Sequence, residues 1–577
     1  MANPWIKKSI PQLIKDAAGD EKGLKRTLGA NALVSLGIGA IIGAGLFSIT
    51  GGAAAANAGP AVTISFIIAA VACAFAGLCY AEFSSMIPVA GSAYTYSYAT
   101  MGEFIAWIIG WDLVLEYAVG AATVSISWSR YLVKFLGYYD IHLPASMTMS
   151  PFDTATLADG SVVHGMVNLP AVLIVVLMSL LLVRGTKESA FVNSIIVALK
   201  VSVVLIFIAL GWGYINSENY TPYIPENTGE FGAFGWSGII RAAAIIFFAY
   251  IGFDAVSTAA QEAKDPKKHM PIGILGSLAI CTVLYILFAH VMTGVANYTE
   301  FAGQDGIAPV AVAIDHMGVQ DTDGKWIPDY PWLNKAIIIA ILAGYASVIM
   351  VMLMGQSRVF FSMSQDGLLP KVFSSVHARF KTPAKSNMLF MLFVSLFAAF
   401  VPARIVGEMT SIGTLLAFVL VCAGVWVLRV REPNAPRAFK TPLVPLVPIL
   451  GIASCLLMMV FLPFDTWYRL LAWLVIGLDL YIFYGMRNSV LGRATLSVES
   501  IFRSRRVVAI TGLVCALLFI SLVVIEFVIQ RGKHAEDPAN FPEEPSLPIA
   551  STVFCVVHLG IYIALMIIKP KMSQKAQ

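Results

Sequence analysis

Apolar runs of about 20 residues recur from residue 30 to near the end of this 577-residue chain. A run of that length crosses a bilayer as a helix. No other feature restricts the fold so strongly, because a segment in lipid must satisfy its own backbone amides and carbonyls. Composition agrees: 58% of residues are hydrophobic, mean hydropathy is +0.79 and only 12% are charged, against roughly 25% charged in a soluble domain. The chain reads as an all-α polytopic membrane protein. The net charge of +4 is small and excludes a nucleic-acid surface. The seven cysteines fall inside apolar segments, with neither a disulfide framework nor metal-ligand spacing.

Fourteen spanning segments are expected, near 30–56, 61–87, 103–136, 166–183, 190–213, 238–262, 272–296, 335–358, 386–402, 405–428, 445–463, 469–486, 507–529 and 547–568. Their connections alternate in charge. Lys264, Lys267, Lys268, Lys371, Lys385, Arg429, Arg431 and Arg437 fall on one side, while the long connections near 137–165, 214–237 and 297–333 hold one lysine, Lys325. Cytoplasmic loops concentrate Lys and Arg, so both termini are expected in the cytoplasm of a plasma (inner) membrane protein. Residues 1–29 and 569–577 are expected to be cytoplasmic tails, with no cleavable signal apparent. The uncharged stretch near 88–101, with Tyr94, Tyr96 and Tyr98, fits an interfacial helix and an ordinary loop equally well.

Two segments are broken in a telling way. The first carries Gly37, Gly39, Gly43 and Gly45 at its centre, and the sixth carries Gly252 and Asp254. Glycine lets a backbone unwind and approach a neighbour closely, and unwound backbone at membrane depth survives only in protein or beside a polar cavity. An odd number of spans separates the two breaks, which places the second copy in inverted orientation. Broken helices at matching positions of two inverted halves point to a transport site. The alternative is a pair of kinked, purely structural helices.

The segments Gly39-Ala40-Ile41-Ile42-Gly43-Ala44-Gly45-Leu46-Phe47, Phe247-Phe248-Ala249-Tyr250-Ile251-Gly252-Phe253-Asp254 and Glu262-Ala263-Lys264-Asp265-Pro266 resemble the amino acid–polyamine–organocation superfamily. Within it, the nearest likeness is to the cationic amino acid transporter family and its bacterial members. The resemblance implies a LeuT-type fold with inverted repeats at 30–213 and 238–428, followed by accessory helices at 445–568. It implies that the amides of Ile42, Gly43, Ala44 and Gly45 hold a substrate α-carboxylate. Phe248, Ala249 and Ile251 would offer carbonyls to the α-ammonium, with Phe248 as an aromatic gate. Glu116 would stand near the pocket, and Glu262 would serve as a gate or cap at the inner end.

Lys200 lies about ten residues inside the fifth segment. Burial disfavours the charged form of an amine, so a lysine at this depth is a candidate proton carrier. The resemblance places it where sodium-coupled relatives bind sodium, reaching carbonyls of segment one and a hydroxyl of segment eight, Ser347. Asp254 and Glu116 join it as candidates for a proton route; a structural pairing of Lys200 with either acid is the alternative. His290, Glu408, Asp479, Glu526 and His558 read as packing or helix-to-helix contacts. No P-loop, HExxH or nucleophile elbow is present. The expectation is therefore a non-enzymatic, proton-coupled symporter of cationic or neutral L-amino acids, needing no cofactor beyond a coupling proton and no metal. Its partners are the substrate and the lipid bilayer, and the sequence leaves a small membrane subunit open. An amino acid/amine antiporter and a non-transporting amino acid sensor remain as alternatives.

Overall fold

The computed structural model describes residues 6–13, 28–43, 45–89, 91–156, 162–184, 187–260, 263–302, 309–321, 326–378, 380, 382–495, 498–536 and 549–567. Nearly everything in them is helical. The long elements are α1 (Ala30–Ile41), α2 (Val62–Met86), α3 (Ser92–Thr100), α4 (Glu103–Gly137), α5 (Leu169–Arg184), α6 (Lys187–Gly211), α7 (Gly235–Ile246) and α8 (Pro266–Val295). They continue as α9 (Pro331–Gln365), α10 (Ala384–Phe400), α11 (Ala403–Arg431), α12 (Leu446–Phe461), α13 (Phe464–Leu480), α14 (Val498–Glu536) and α15 (Ile549–Ile567). Among the described residues nine helical stretches are long and apolar enough to cross a membrane, and the first of them, Ala30–Met86, runs over two expected segments. Helices α5, α10, α12 and α15 are shorter and apolar. Two small antiparallel hairpins, Thr154–Thr156 with Val162–His164 and Gly318–Gln320 with Trp326–Pro328, decorate one end.

The ends of these helices follow from local chemistry. Pro266 and Pro331 open α8 and α9, where a missing N–H costs nothing because the first amides have no intrahelical acceptor. Gly102, at φ +105°, turns the chain from α3 into α4, a conformation that a side chain resists. The stretch expected as an interfacial helix or a loop is the helix α3, and its tyrosines are buried under the bundle rather than exposed. The interior of the bundle is one continuous cluster of apolar side chains.

The packing repeats itself. The break after α1 lies against the break after α7, α2 against α8, α4 against α9, and α5 against α10. Each pair joins an expected segment to the one five places later. Likewise α6 packs on α1 and α9, while α11 packs on α7 and α4. Helix α14 packs on both α13 and α15, which also touch each other, and α13 joins this set to α11 and α4.

The end of the bundle that carries the basic connections is tied together by ion pairs. Glu82, fully buried at the end of α2, receives Arg429 through two hydrogen bonds (2.9 and 2.8 Å), Arg437 at 3.0 Å and the Thr441 amide at 2.7 Å. At the same end Lys8 pairs with Asp366 (2.5 Å), which also accepts from Tyr94 at 2.7 Å. The Leu28 carbonyl accepts the Lys264 amide (2.9 Å), linking the start of α1 to the chain beyond α7.

Candidate functional site

The helical ladder of α1 stops at the Ile42 amide, which donates to Ile38 at 3.0 Å, and Ile42 itself is extended at ψ 104°. The next bond, from the Phe47 amide to the Gly43 carbonyl (3.2 Å), starts a second half-helix that runs through Gly45–Ile49 and Thr50–Ala53. The Ile42 amide, expected to face the substrate carboxylate, is thus spent on Ile38, whereas those of Gly43, Gly45 and Leu46 stand at a helix start, without intrahelical acceptors and at the positive end of a helix dipole. Ala44 lies outside the described residues. In the counterpart, α7 ends at Ile246, a tight turn spans Phe247–Tyr250, and helix resumes only at Ala255–Thr258.

The two breaks touch through their glycines. A Cβ on Gly45 would meet the Ala249 Cα at 2.1 Å, and a Cβ on Gly252, at φ +118°, would meet the Ala40 carbonyl carbon at 2.8 Å. The glycines thus let two irregular backbones come closer than side chains permit. Tyr285 of α8 closes the junction, its hydroxyl lying 2.8 Å from the Ile41 carbonyl and 2.9 Å from the Ala249 carbonyl. Phe248 is buried beside it, and its carbonyl takes the Ile251 amide at 3.2 Å. Ile251 is buried at the non-helical turn that follows.

Lys200 of α6 reaches this junction from the side. Its ammonium donates to the carbonyls of Gly39 (2.8 Å), Ile42 (2.9 Å) and Gly344 (3.3 Å), and the residue is 1% exposed. No carboxylate of the described residues pairs with it. The expected hydroxyl partner is elsewhere: Ser347 donates to Asn193 Oδ1 at 2.6 Å, one turn along α9 from Gly344. The difference is one of height along the axis: Gly344 and Ser347 both face α6, but Gly344, where a Cβ would strike the Lys200 Cδ at 2.5 Å, lies level with the ammonium, and Ser347 lies level with Asn193.

The acids sit on the other flank. Asp254 Oδ1 accepts the Gly252 amide (3.2 Å), capping the turn, and its other oxygen accepts the Tyr117 hydroxyl. Glu116, within a widened turn of α4 at Leu115–Val119, lies against Asp254, close enough for the two carboxyl groups to share a hydrogen bond, and has no other donor among the described residues. Asp112, one turn away, has no donor among the described residues and lies against Gly413 of α11. Glu262 lies outside the described residues. Glu408 bonds Arg469 (3.0 Å), His558 pairs with Asp479 (2.9 Å), and His290 stacks on Tyr220, so these groups belong to helix contacts away from the junction.

The sequence reading passed over Tyr285, Asn193 and the Gly344 carbonyl. A lone tyrosine in an apolar helix carries no distinctive pattern, and carbonyls carry none at all. Glycine at 344, facing a lysine helix, was the available signal. Chemically, the junction offers free amides and a dipole end to an anion, carbonyls to a cation, and a movable ammonium between two helices. Among the described residues no group of His, Cys, Asp and Glu is arranged to hold a metal ion.

Residues 28–480 match the amino acid permease family. The chain is 45% identical over 489 residues to the branched-chain amino acid permease BcaP of Bacillus subtilis, covering 84% of this chain and 98% of that protein. It is 40% identical over 493 residues to the methylthioribose transporter of the same organism, covering 85% and 100%. Over 411 residues it is 34% identical to the vacuolar cationic amino acid transporter 4 of Arabidopsis thaliana, covering 71% and 64%.

Proposed function

Because the chain belongs to the amino acid permease family, a family of transporters and not of enzymes, we propose that it is a proton-coupled amino acid symporter working by alternating access. Fourteen spans, with both termini in the cytoplasm of the cell membrane, carry the function. Two inverted five-span repeats, 30–213 and 238–428, form the moving core, and 445–568 is accessory. The packing that repeats at an offset of five segments supports this division, as does the gathering of basic loops at one end.

The observation that carries the mechanism is the Lys200 ammonium with its three carbonyls. An ammonium has three N–H donors and a neutral amine has two. Three carbonyls therefore match the protonated form, in which α1 is fastened to α9. Loss of the proton leaves one carbonyl without a donor and loosens the broken helix. Of the four expected amides, that of Ile42 being occupied by Ile38, those of Gly43, Ala44 and Gly45 hold the substrate carboxylate, and the turn after α7 receives the ammonium, with Phe248 closing over it. Asp254 stabilises that turn, and Glu116 faces it as the second candidate group on a proton route. The substrate proposed first is a neutral aliphatic L-amino acid, since a branched-chain permease of Bacillus subtilis and another of Lactococcus lactis are among the relatives that align over almost their full length. The buried acid Glu116 favours the cationic amino acids as the second reading.

Reconstituted protein tests this directly. An inward proton gradient in sodium-free buffer is expected to drive accumulation of L-leucine into empty vesicles. A requirement for sodium with indifference to pH refutes proton coupling. An obligate antiporter shows no net uptake into empty vesicles, and a sensor binds without flux. A thermal-shift screen over the twenty amino acids and methylthioribose ranks the substrates.

A further inference from the structure

An apolar groove lies between α4, α13 and α14, lined by Trp107, Trp111, Leu474, Leu478, Thr511 and Cys515. None of these residues belongs to the two breaks or to the lysine site. Each indole N–H and the hydroxyl in the lining already has an acceptor: Trp107 donates to the Gly477 carbonyl (2.9 Å), Trp111 to the Trp473 carbonyl (2.8 Å) and Thr511 to the Val507 carbonyl (3.1 Å). The walls therefore offer contact without hydrogen bonds, which suits hydrocarbon. They are also firm, since Trp111 stacks on Trp473 with ring centroids 4.7 Å apart. Trp107 and Trp111 stand one and two turns into α4, roughly 6 and 12 Å from its start at 1.5 Å per residue. That is acyl-chain depth within one leaflet of a hydrocarbon core about 30 Å thick. The start of α4 meets the end of α13 directly, the Tyr481 hydroxyl donating to Glu103 at 3.0 Å.

Arginines gather at this rim of the groove. Arg505 and Arg506 precede Thr511 on α14 by six and five residues, roughly 8–9 Å along the axis. Arg487 and Arg493 follow the end of α13, and α14 packs against Tyr481–Gly485 just before them. Arg493 donates to the Arg487 carbonyl at 2.9 Å and to Asn488 at 2.6 Å, while Arg506 donates to the Met566 carbonyl of α15 at 3.1 Å. The Nε of Arg505 is buried without an acceptor. Among the described residues no acid pairs with Arg487, Arg493 or Arg505.

Cations at the edge of hydrocarbon that lack a counter-ion within the protein call for an anion from outside it. The forked donors of a guanidinium match phosphate oxygens, and basic pockets between spanning helices hold anionic headgroups. We propose that an anionic phospholipid occupies this site, its phosphate on Arg505 and Arg487 and one acyl chain in the groove against Trp107 and Trp111. A zwitterionic headgroup brings its own ammonium and leaves the positive excess of the rim in place, so the fit is to a lipid of net negative charge. The bound chain braces α4, which carries Glu116 and Tyr117, against the accessory helices α13 and α14. This inference stands apart from the identity of the transported substrate.

The test uses the purified full-length chain in detergent, with dioleoylphosphatidylglycerol, dioleoylphosphatidylcholine and inorganic phosphate as probes. Phosphatidylglycerol at a hundredfold excess over its Kd should raise the melting temperature about 2–4 °C above the phosphatidylcholine value. Inorganic phosphate should leave it unchanged. The double variant Arg487→Gln/Arg505→Gln, which removes the headgroup contacts, should lose at least half of that increment, and Arg505→Lys should keep most of it. Cys515→Phe fills the groove and should also lose at least half; Cys515→Leu, a smaller intrusion, replaces it if the ring prevents folding. Each variant is read against its own melt without lipid. Phosphatidylglycerol brominated along its acyl chains should quench tryptophan fluorescence more than brominated phosphatidylcholine does, and the excess should vanish in the double variant. Equal increments from the two lipids, or a full increment from inorganic phosphate, overturn the site. So does a wild-type increment in the double arginine variant or in the filled groove.

Discussion

Gly45→Ala and Gly52→Ala insert the same methyl group seven residues apart, and the structure requires opposite signs. At Gly52 nothing lies within 4 Å of an added Cβ, so the change should behave as an ordinary helical Gly→Ala and stabilise by about 0.5–1 kcal/mol. At Gly45 the Cβ lands 2.1 Å from the Ala249 Cα and 2.4 Å from its Cβ. Carbon atoms rest about 3.5–4.0 Å apart, so the two breaks must separate by roughly 1.5 Å, and no flexible side chain stands between them to absorb it. Overpacking of this kind costs about 1–3 kcal/mol. The two variants should therefore differ by about 1.5–4 kcal/mol, read as thermal melts of purified protein under one detergent condition. Uptake should divide in the same way. Displacing the carboxylate cradle relative to the turn after α7 should lower the initial rate of L-leucine uptake at least tenfold in Gly45→Ala, the scale on which sub-ångström to 1 Å misplacement acts at a positioned site, and leave Gly52→Ala active. Equal melts and equal uptake would refute the claim that the glycines exist to let the breaks touch.

Lys200→Met should abolish proton-driven accumulation while the protein still folds, measured by uptake beside size-exclusion profiles; wild-type accumulation would remove Lys200 from the coupling step. Tyr285→Phe deletes the hydroxyl shared by the Ile41 and Ala249 carbonyls. Leaving a buried acceptor without its donor costs about 1–3 kcal/mol, so both the melt and the affinity for substrate should fall. Glu82→Gln uncouples the carboxylate from Arg429 and Arg437. Breaking a buried ion pair costs about 3–5 kcal/mol, which should appear as a lower melting temperature, whereas an unchanged melt would show the cluster to be solvated.

The helices and both breaks are legible in the sequence because each rests on a local rule. Apolar length gives a spanning helix, and glycines or an acid in such a run give an interruption. The partners of Lys200 are another matter. Which residue of α9 meets the ammonium depends on the axial register of α9 against α6, and a shift of three residues separates Ser347 from Gly344 by one turn. That register is set by close packing at several glycines together: Gly39 against Val197, Gly43 against Val348, and Gly344 against Lys200 itself.

The separation of Lys200 from the acids sharpens the coupling argument. Had the lysine paired with Glu116 or Asp254, losing its proton would strand a carboxylate in the membrane interior, and the pair would hold its charge through the cycle. Instead its three bonds go to neutral carbonyls, which can be left with one donor fewer at the modest cost of a single hydrogen bond. Two of those carbonyls, Gly39 and Ile42, belong to the helix whose movement opens or closes the substrate site in the proposed mechanism, and the third belongs to α9. A proton leaving this amine therefore changes the tie between a moving and a supporting helix without creating a buried ion. Asp254, held on the far flank by Tyr117 and the Gly252 amide, can keep the α7 turn in shape while the lysine changes state. Division of labour between the two flanks is what a coupling site at a pair of broken helices requires, and it fails at once if Lys200→Met accumulates substrate as the wild type does.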